Sequence, residues 1–92
     1  MSESTIRIWK YPIRPDLLTI RVPVDAEILC VGVQNGEPQM WVKLDTKKEL
    51  APRRIYVFGT GHDVPDISMK YVGTFFLQAG SLVFHVFEEP SK

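Results

Sequence analysis

Stretches rich in branched and aromatic residues recur along this chain, each closed by proline, glycine or asparagine. Their spacing of roughly 8–12 residues is that of strands in sandwiches and barrels. No segment sustains the 3.6-residue apolar period of an amphipathic helix. With no helix to cover a sheet, such strands bury their apolar faces only against one another. The expected fold is all-β: a small antiparallel β-sandwich or partly open barrel of about seven strands.

The strands can be placed individually. Thr5 to Tyr11 alternates, with Ile6 and Ile8 on one face and Arg7, Trp9 and Tyr11 on the other. Pro12 and Pro15 then bend the chain, and Leu17 to Val22 follows with Leu18, Ile20 and Val22 turned inward. Glu27 to Gln34 and Gln39 to Asp45 flank Asn35-Gly36, a pair that tolerates the positive φ of a type I′ hairpin turn, although the loop can also run on to Pro38. After the charged connection Thr46 to Pro52 comes a fifth strand, Arg53 to Gly59. Lys70 to Gln78 and Leu82 to Glu88 form a last hairpin around Ala79-Gly80-Ser81. Residues 1–4 and 89–92 read as frayed ends.

At 92 residues the chain makes one domain, 1–92, and the ten aromatic residues are expected to supply much of its core. Eleven basic residues balance eleven acidic ones. That balance speaks against a dedicated non-specific nucleic-acid binder and leaves little self-repulsion, so a homodimer is expected, paired through the edge of the last hairpin. Cys30 is the one cysteine, which excludes an internal disulfide and an all-cysteine metal site. Within Ile28-Leu29-Cys30-Val31 it reads as a small buried hydrophobe. No run approaches the ~18 apolar residues of a membrane span, and the N-terminus lacks the layout of a signal peptide. A cytoplasmic protein without membrane contact is the expectation.

No nucleophile elbow, zinc-helix pattern or spaced histidine set occurs, so the chain reads as non-enzymatic, without metal or cofactor. His85 reads as an ordinary strand histidine. The segment Gly59-Thr60-Gly61-His62 is the leading candidate for binding. Its two glycines allow close backbone approach and can bare consecutive N–H groups as an anion nest, while Thr60 and His62 add donors on the rim. The alternative is a plain glycine-permitted turn leaving the fifth strand. Arg53 and Arg54 carry forks suited to phosphate or carboxylate, but as strand neighbours they face opposite sides, and after Pro52 they also read as a plain solvated strand entry. Trp9, Tyr11 and Trp41 fall on the more polar sides of their strands and suit plain packing at the core edge, an interface or stacking on a planar ligand.

The stretches IWKYP (Ile8 to Pro12), AEIL (Ala26 to Leu29), VQNGEPQMW (Val33 to Trp41), GTGH (Gly59 to His62), YVGTF (Tyr71 to Phe75) and LVFHVFE (Leu82 to Glu88) run in order along nearly the whole chain. In these the chain resembles a family of short uncharacterised proteins carried by bacteriophages and prophages. The resemblance implies a phage or mobile-element origin and expression in the cytoplasm of a bacterial host. It carries no activity. In that setting the expected function is capture of a host small-molecule ligand, such as an anionic nucleotide immune signal, or of a host protein. Gly59, Gly61, His62, an arginine (Arg53 or Arg54) and Trp41 are the residues expected to meet the ligand. The alternative is a small structural component of the virion or its assembly.

Overall fold

Seven strands form over the residues that the computed structural model describes, 4–14 and 19–90. They are β1 (Ile6–Pro12), β2 (Thr19–Pro23), β3 (Glu27–Gln34), β4 (Glu37–Asp45), β5 (Leu50–Gly59), β6 (Lys70–Leu77) and β7 (Leu82–Glu88). Two antiparallel sheets result, ordered β1-β4-β3 and β2-β5-β7-β6, and they pack as a sandwich, not a closed barrel. The expected bend at Pro15 and the inward Leu18 lie outside the described residues, as do 1–3 and 91–92. At the C-terminal side the chain is still tied at Glu89, whose N–H donates to the Arg54 carbonyl at 3.0 Å. No helix in the described residues is long and apolar enough to cross a membrane.

Local chemistry sets the strand limits. Asn35 and Gly36 take φ of 52° and 79°, the type I′ pair, so Glu37 pairs at once with Gln34. β4 therefore starts two residues earlier than Gln39. β5 starts at Leu50 because its first half pairs with β2 and its second half with β7. At Pro52 the strand has one hydrogen-bonded neighbour, which is why a proline is tolerated there. The last hairpin turns through a 3₁₀ turn at Gln78–Gly80. β7 lies between β5 and β6, so the free edge of the last hairpin is β6 and not β7; the other edge strands are β1, β3 and β2.

Alternation fills the space between the sheets with Met40, Val42 and Leu44 of β4, Ile20 and Val22 of β2, Ile55, Phe75 and Val86, joined by Ile13 and Ala26. Phe75 is the one aromatic among these buried residues, so the core is aliphatic instead of aromatic. A sandwich core is only about 10 Å thick and suits interdigitating branched side chains. The remaining rings go mostly to the outer faces. Cys30 is likewise exposed, opposite Trp41 on the outer side of the first sheet, because a bulge between Ile28 and Cys30 shifts the alternation. The two tryptophans part company: Trp9 pairs with Val42 and shares its inward side, whereas Trp41 pairs with Lys10 and faces out. Trp9 stays 47% exposed, which leaves β1 beyond the cover of the second sheet.

At one corner β3 and β6 approach each other. A Cβ on Gly73 would stand 2.6 Å from Cγ2 of Val31, so the missing side chain is what lets the strands come together. Both strands carry a register shift there, between Ile28 and Cys30 and between Tyr71 and Gly73, and such bulges bend an edge.

Asp45 closes β4 by accepting from the Thr5 hydroxyl at 2.6 Å and from the Lys47 N–H at 3.0 Å. Those two hydrogen bonds, the Thr5 one foremost, hold its carboxyl below the usual aspartate value. The stabilisation is then complete above the unfolded pKa of about 3.9 and is lost as pH falls through the lowered native value. Asp45→Asn is expected to lower the urea midpoint at neutral pH, with the gap to the wild type closing as pH drops below about 4. A gap independent of pH would remove this role.

Candidate functional site

β5 ends by presenting Gly59 inward, in alternation with Ile55 and Val57. The chain then reverses in a turn, with the His62 N–H donating to the Gly59 carbonyl at 3.0 Å. Gly61 takes φ of +89° at the third position, where a type II turn calls for glycine. The imidazole of His62 lies directly over Gly59: a Cβ there would be 2.8 Å from its Cε1 and Nδ1 atoms. The Thr60 N–H donates to the Val83 carbonyl at 3.0 Å. Two of the loop amides are therefore already spent within the chain, and what the loop offers a ligand is the His62 ring rather than an anion nest.

That ring borders a cavity of about 850 Å³ at the end of the sandwich, within the size range of small-molecule sites. Ile13, Val57, Phe75, Leu77 and Phe84 supply its apolar walls, with the Phe75 and Phe84 rings stacked at 5.4 Å. Arg14, Glu37, Gln39 and His62 supply the polar groups. Three separate pieces of chain meet here: the segment after β1, the β3–β4 hairpin and the ends of β5 to β7. Arg14 is exposed and was not among the arginines singled out in the sequence. Nothing in its immediate neighbours marks it, because the β1 end and the Gly59 turn are brought together only by the packing of the two sheets.

The other expected site residues go elsewhere. Arg53 turns inward at the opposite end, where its Nε pairs with the carboxylate of Glu88 and its Nη1 donates to the Ala26 carbonyl at 2.7 Å. Glu88 is 4% exposed, so this arginine neutralises a buried charge. A cavity of about 470 Å³ lies beside the pair. Arg54 faces outward from the second sheet, 3.9 Å from Glu89. Trp41 packs over Gly32 on the outer side of the first sheet, its Cζ3 at 3.5 Å from the Cβ position of that glycine. Of the expected set, then, Gly59 and His62 meet in one concave site, and Arg53, Arg54 and Trp41 do not join them.

Thr60 points to the other side of the second sheet and meets His85. Its hydroxyl is 2.7 Å from His85 Nε2, while His85 Nδ1 is 3.1 Å from Thr74 Oγ1, itself 2.6 Å from the Tyr71 hydroxyl. Both ring nitrogens are thus engaged, and the imidazole is fixed between β5, β7 and β6. The sequence shows Thr74 and His85 only as separate strand residues; their register, Thr74 opposite His85, creates the chain. Among the described residues no group of three or more His, Cys, Asp or Glu side chains is placed to hold a metal ion.

Residues 4–92 match the model of a protein family described as Domain of unknown function (DUF7352), and the chain belongs to that family. No curated protein and no solved structure matches it.

Proposed function

We propose, with membership of that family as the premise, that the chain is a non-enzymatic binding protein that captures a small ligand in the cavity at the end of the sandwich. The observation that carries this reading is the composition of that cavity, in which Ile13, Val57, Phe75, Leu77 and Phe84 share the lining with Arg14 and His62. Apolar walls with a few placed polar groups are the usual build of a ligand site. One arginine fork suits one phosphate or carboxylate, and the walls suit an apolar or planar body. Glu37 in the same lining disfavours a ligand carrying many negative charges. A phage or prophage origin, which the sequence resemblance suggests, would make the ligand a host molecule, with a cyclic nucleotide signal as the member of this class that a phage gains from removing.

Isothermal titration with a panel of cyclic and ADP-ribose-type nucleotides and of amphipathic carboxylates separates the two sources of the anionic group. Saturable heat with one class is expected, at a stoichiometry of one per site. Arg14→Gln and His62→Ala are each expected to weaken it about tenfold or more, the worth of a charged hydrogen bond. Gly59→Ala provides an independent check, because the new methyl displaces the imidazole without removing it. Absence of heat across the whole panel would remove the small-ligand reading and leave capture of a host protein, tested by pull-down from bacterial lysate.

A further inference from the structure

We propose that the outer face of the β2-β5-β7-β6 sheet is a separate binding surface for single-stranded nucleic acid. Alternation along β5 turns Arg54, Tyr56 and Phe58 to this face, since Ile55 is buried between them. The ladder then sets Tyr56 opposite Phe87 and Phe87 opposite Tyr71, with Phe58, His85 and Thr74 as the next row. Rings of Tyr56 and Phe58 stand parallel with centroids 6.3 Å apart, and Phe87 meets Phe58 and Tyr71 edge-on at 5.9 and 5.6 Å. Tyr71 is 56% exposed and Phe76, farther along the same strand, 57%. No helix in the described residues covers these rings.

Aromatic side chains on the central strands of a four-stranded antiparallel sheet are what RNA-recognition sheets use to stack bases. Stacking tolerates any base, because each has a π-face. Between the rings runs the chain from Thr60 through His85 and Thr74 to Tyr71, whose hydroxyl oxygens keep further lone pairs that can accept from base edges. Phosphate contacts come from Arg21 and Arg54. Arg21 pairs across from Pro52 and is exposed, and the Arg54 side chain is 62% exposed with only a long contact to Glu89. Among the described residues, Arg21 and Arg54 on this face stand with Glu89 beside Arg54, so charge contributes little here, as the chain's zero net charge implies. Two phosphate contacts give a shallow salt slope, about −1.4 in log K against log salt, so stacking has to supply most of the affinity. The cavity under Gly59 opens between the sheets, so this surface and that site stand or fall separately.

Fluorescence anisotropy of a labelled oligouridine of about 12 nucleotides, titrated with the full chain at low salt, tests the proposal. Saturable binding is expected. Tyr71→Ala and Tyr56→Ala should each weaken it about tenfold, in line with the loss of one stacked base. Arg54→Gln should reduce the salt slope by about one contact. Tyr71 is more than half exposed, so its variant keeps the fold, which circular dichroism confirms independently. No saturable change at low salt would overturn the proposal. So would unchanged affinity in both tyrosine variants, or a dimer in sedimentation equilibrium that Tyr71→Ala dissociates, which would assign the face to a second copy.

Discussion

Replacing Arg53 by methionine is expected to lower the stability of the domain by about 3–5 kcal/mol, the cost of leaving a buried charge without its partner. Glu88 is 4% exposed and receives the Arg53 Nε, and the same guanidinium closes the Ala26 carbonyl. A domain of this length has roughly 5–14 kcal/mol in total, so the variant sits near its unfolding threshold at room temperature. The double variant Arg53→Met with Glu88→Leu should recover most of the loss, because a buried ion pair and well-packed apolar residues of similar volume are often close in stability. Urea midpoints of the two variants decide the matter. A single variant that loses less than about 1 kcal/mol would show that the Arg53–Glu88 pair contributes little to stability.

The second large effect belongs to Gly73. On propensity alone, Gly→Ala in a strand gains about 0.5–1 kcal/mol. Here the added methyl lies 2.6 Å from Val31 Cγ2, and valine, branched at Cβ, has little freedom to move aside. Overpacking of this kind costs about 1–3 kcal/mol, so the net sign is destabilising. Gly73→Val should be worse than Gly73→Ala, and Val31→Ala should partly rescue either by vacating the contact. If Gly73→Ala proves neutral or stabilising by thermal unfolding, the β3–β6 corner is looser than its geometry implies.

What could be read from the chain beforehand was whatever is local. Period-two alternation placed Trp41 on the outer side of β4, and Ile20 and Val22 on the inner side of β2. The Asn35-Gly36 pair announced its hairpin through backbone sterics alone. Cross-strand facts were not legible. Trp9 shares the inner side with Val42, yet nothing in IRIWKYP tells that the second sheet stops short of it. Arg53 looked like a ligand for anions because its true partner, Glu88, stands 35 residues away. The Gly59 turn was visible and Arg14 was not, since only sheet packing brings the segment after β1 to that turn. The bulge at Leu29 likewise exposed Cys30, which an unbroken alternation hides.

The strand order has a consequence for how the molecule comes off the ribosome. β3 with β4 and β6 with β7 are hairpins of neighbours in sequence, which zip within microseconds once their residues are free. β1 waits for β4 and β2 for β5, with two other strands made in between. Translation at roughly 5–20 residues per second therefore leaves the N-terminal strand single for a matter of seconds. During that interval Ile6, Ile8 and Trp9 are available to chaperones or to other nascent chains. Arg7 and Lys10, interspersed among them, are the charges that keep such a segment from coalescing, so neutralising both should cut soluble yield far more than it alters the finished fold.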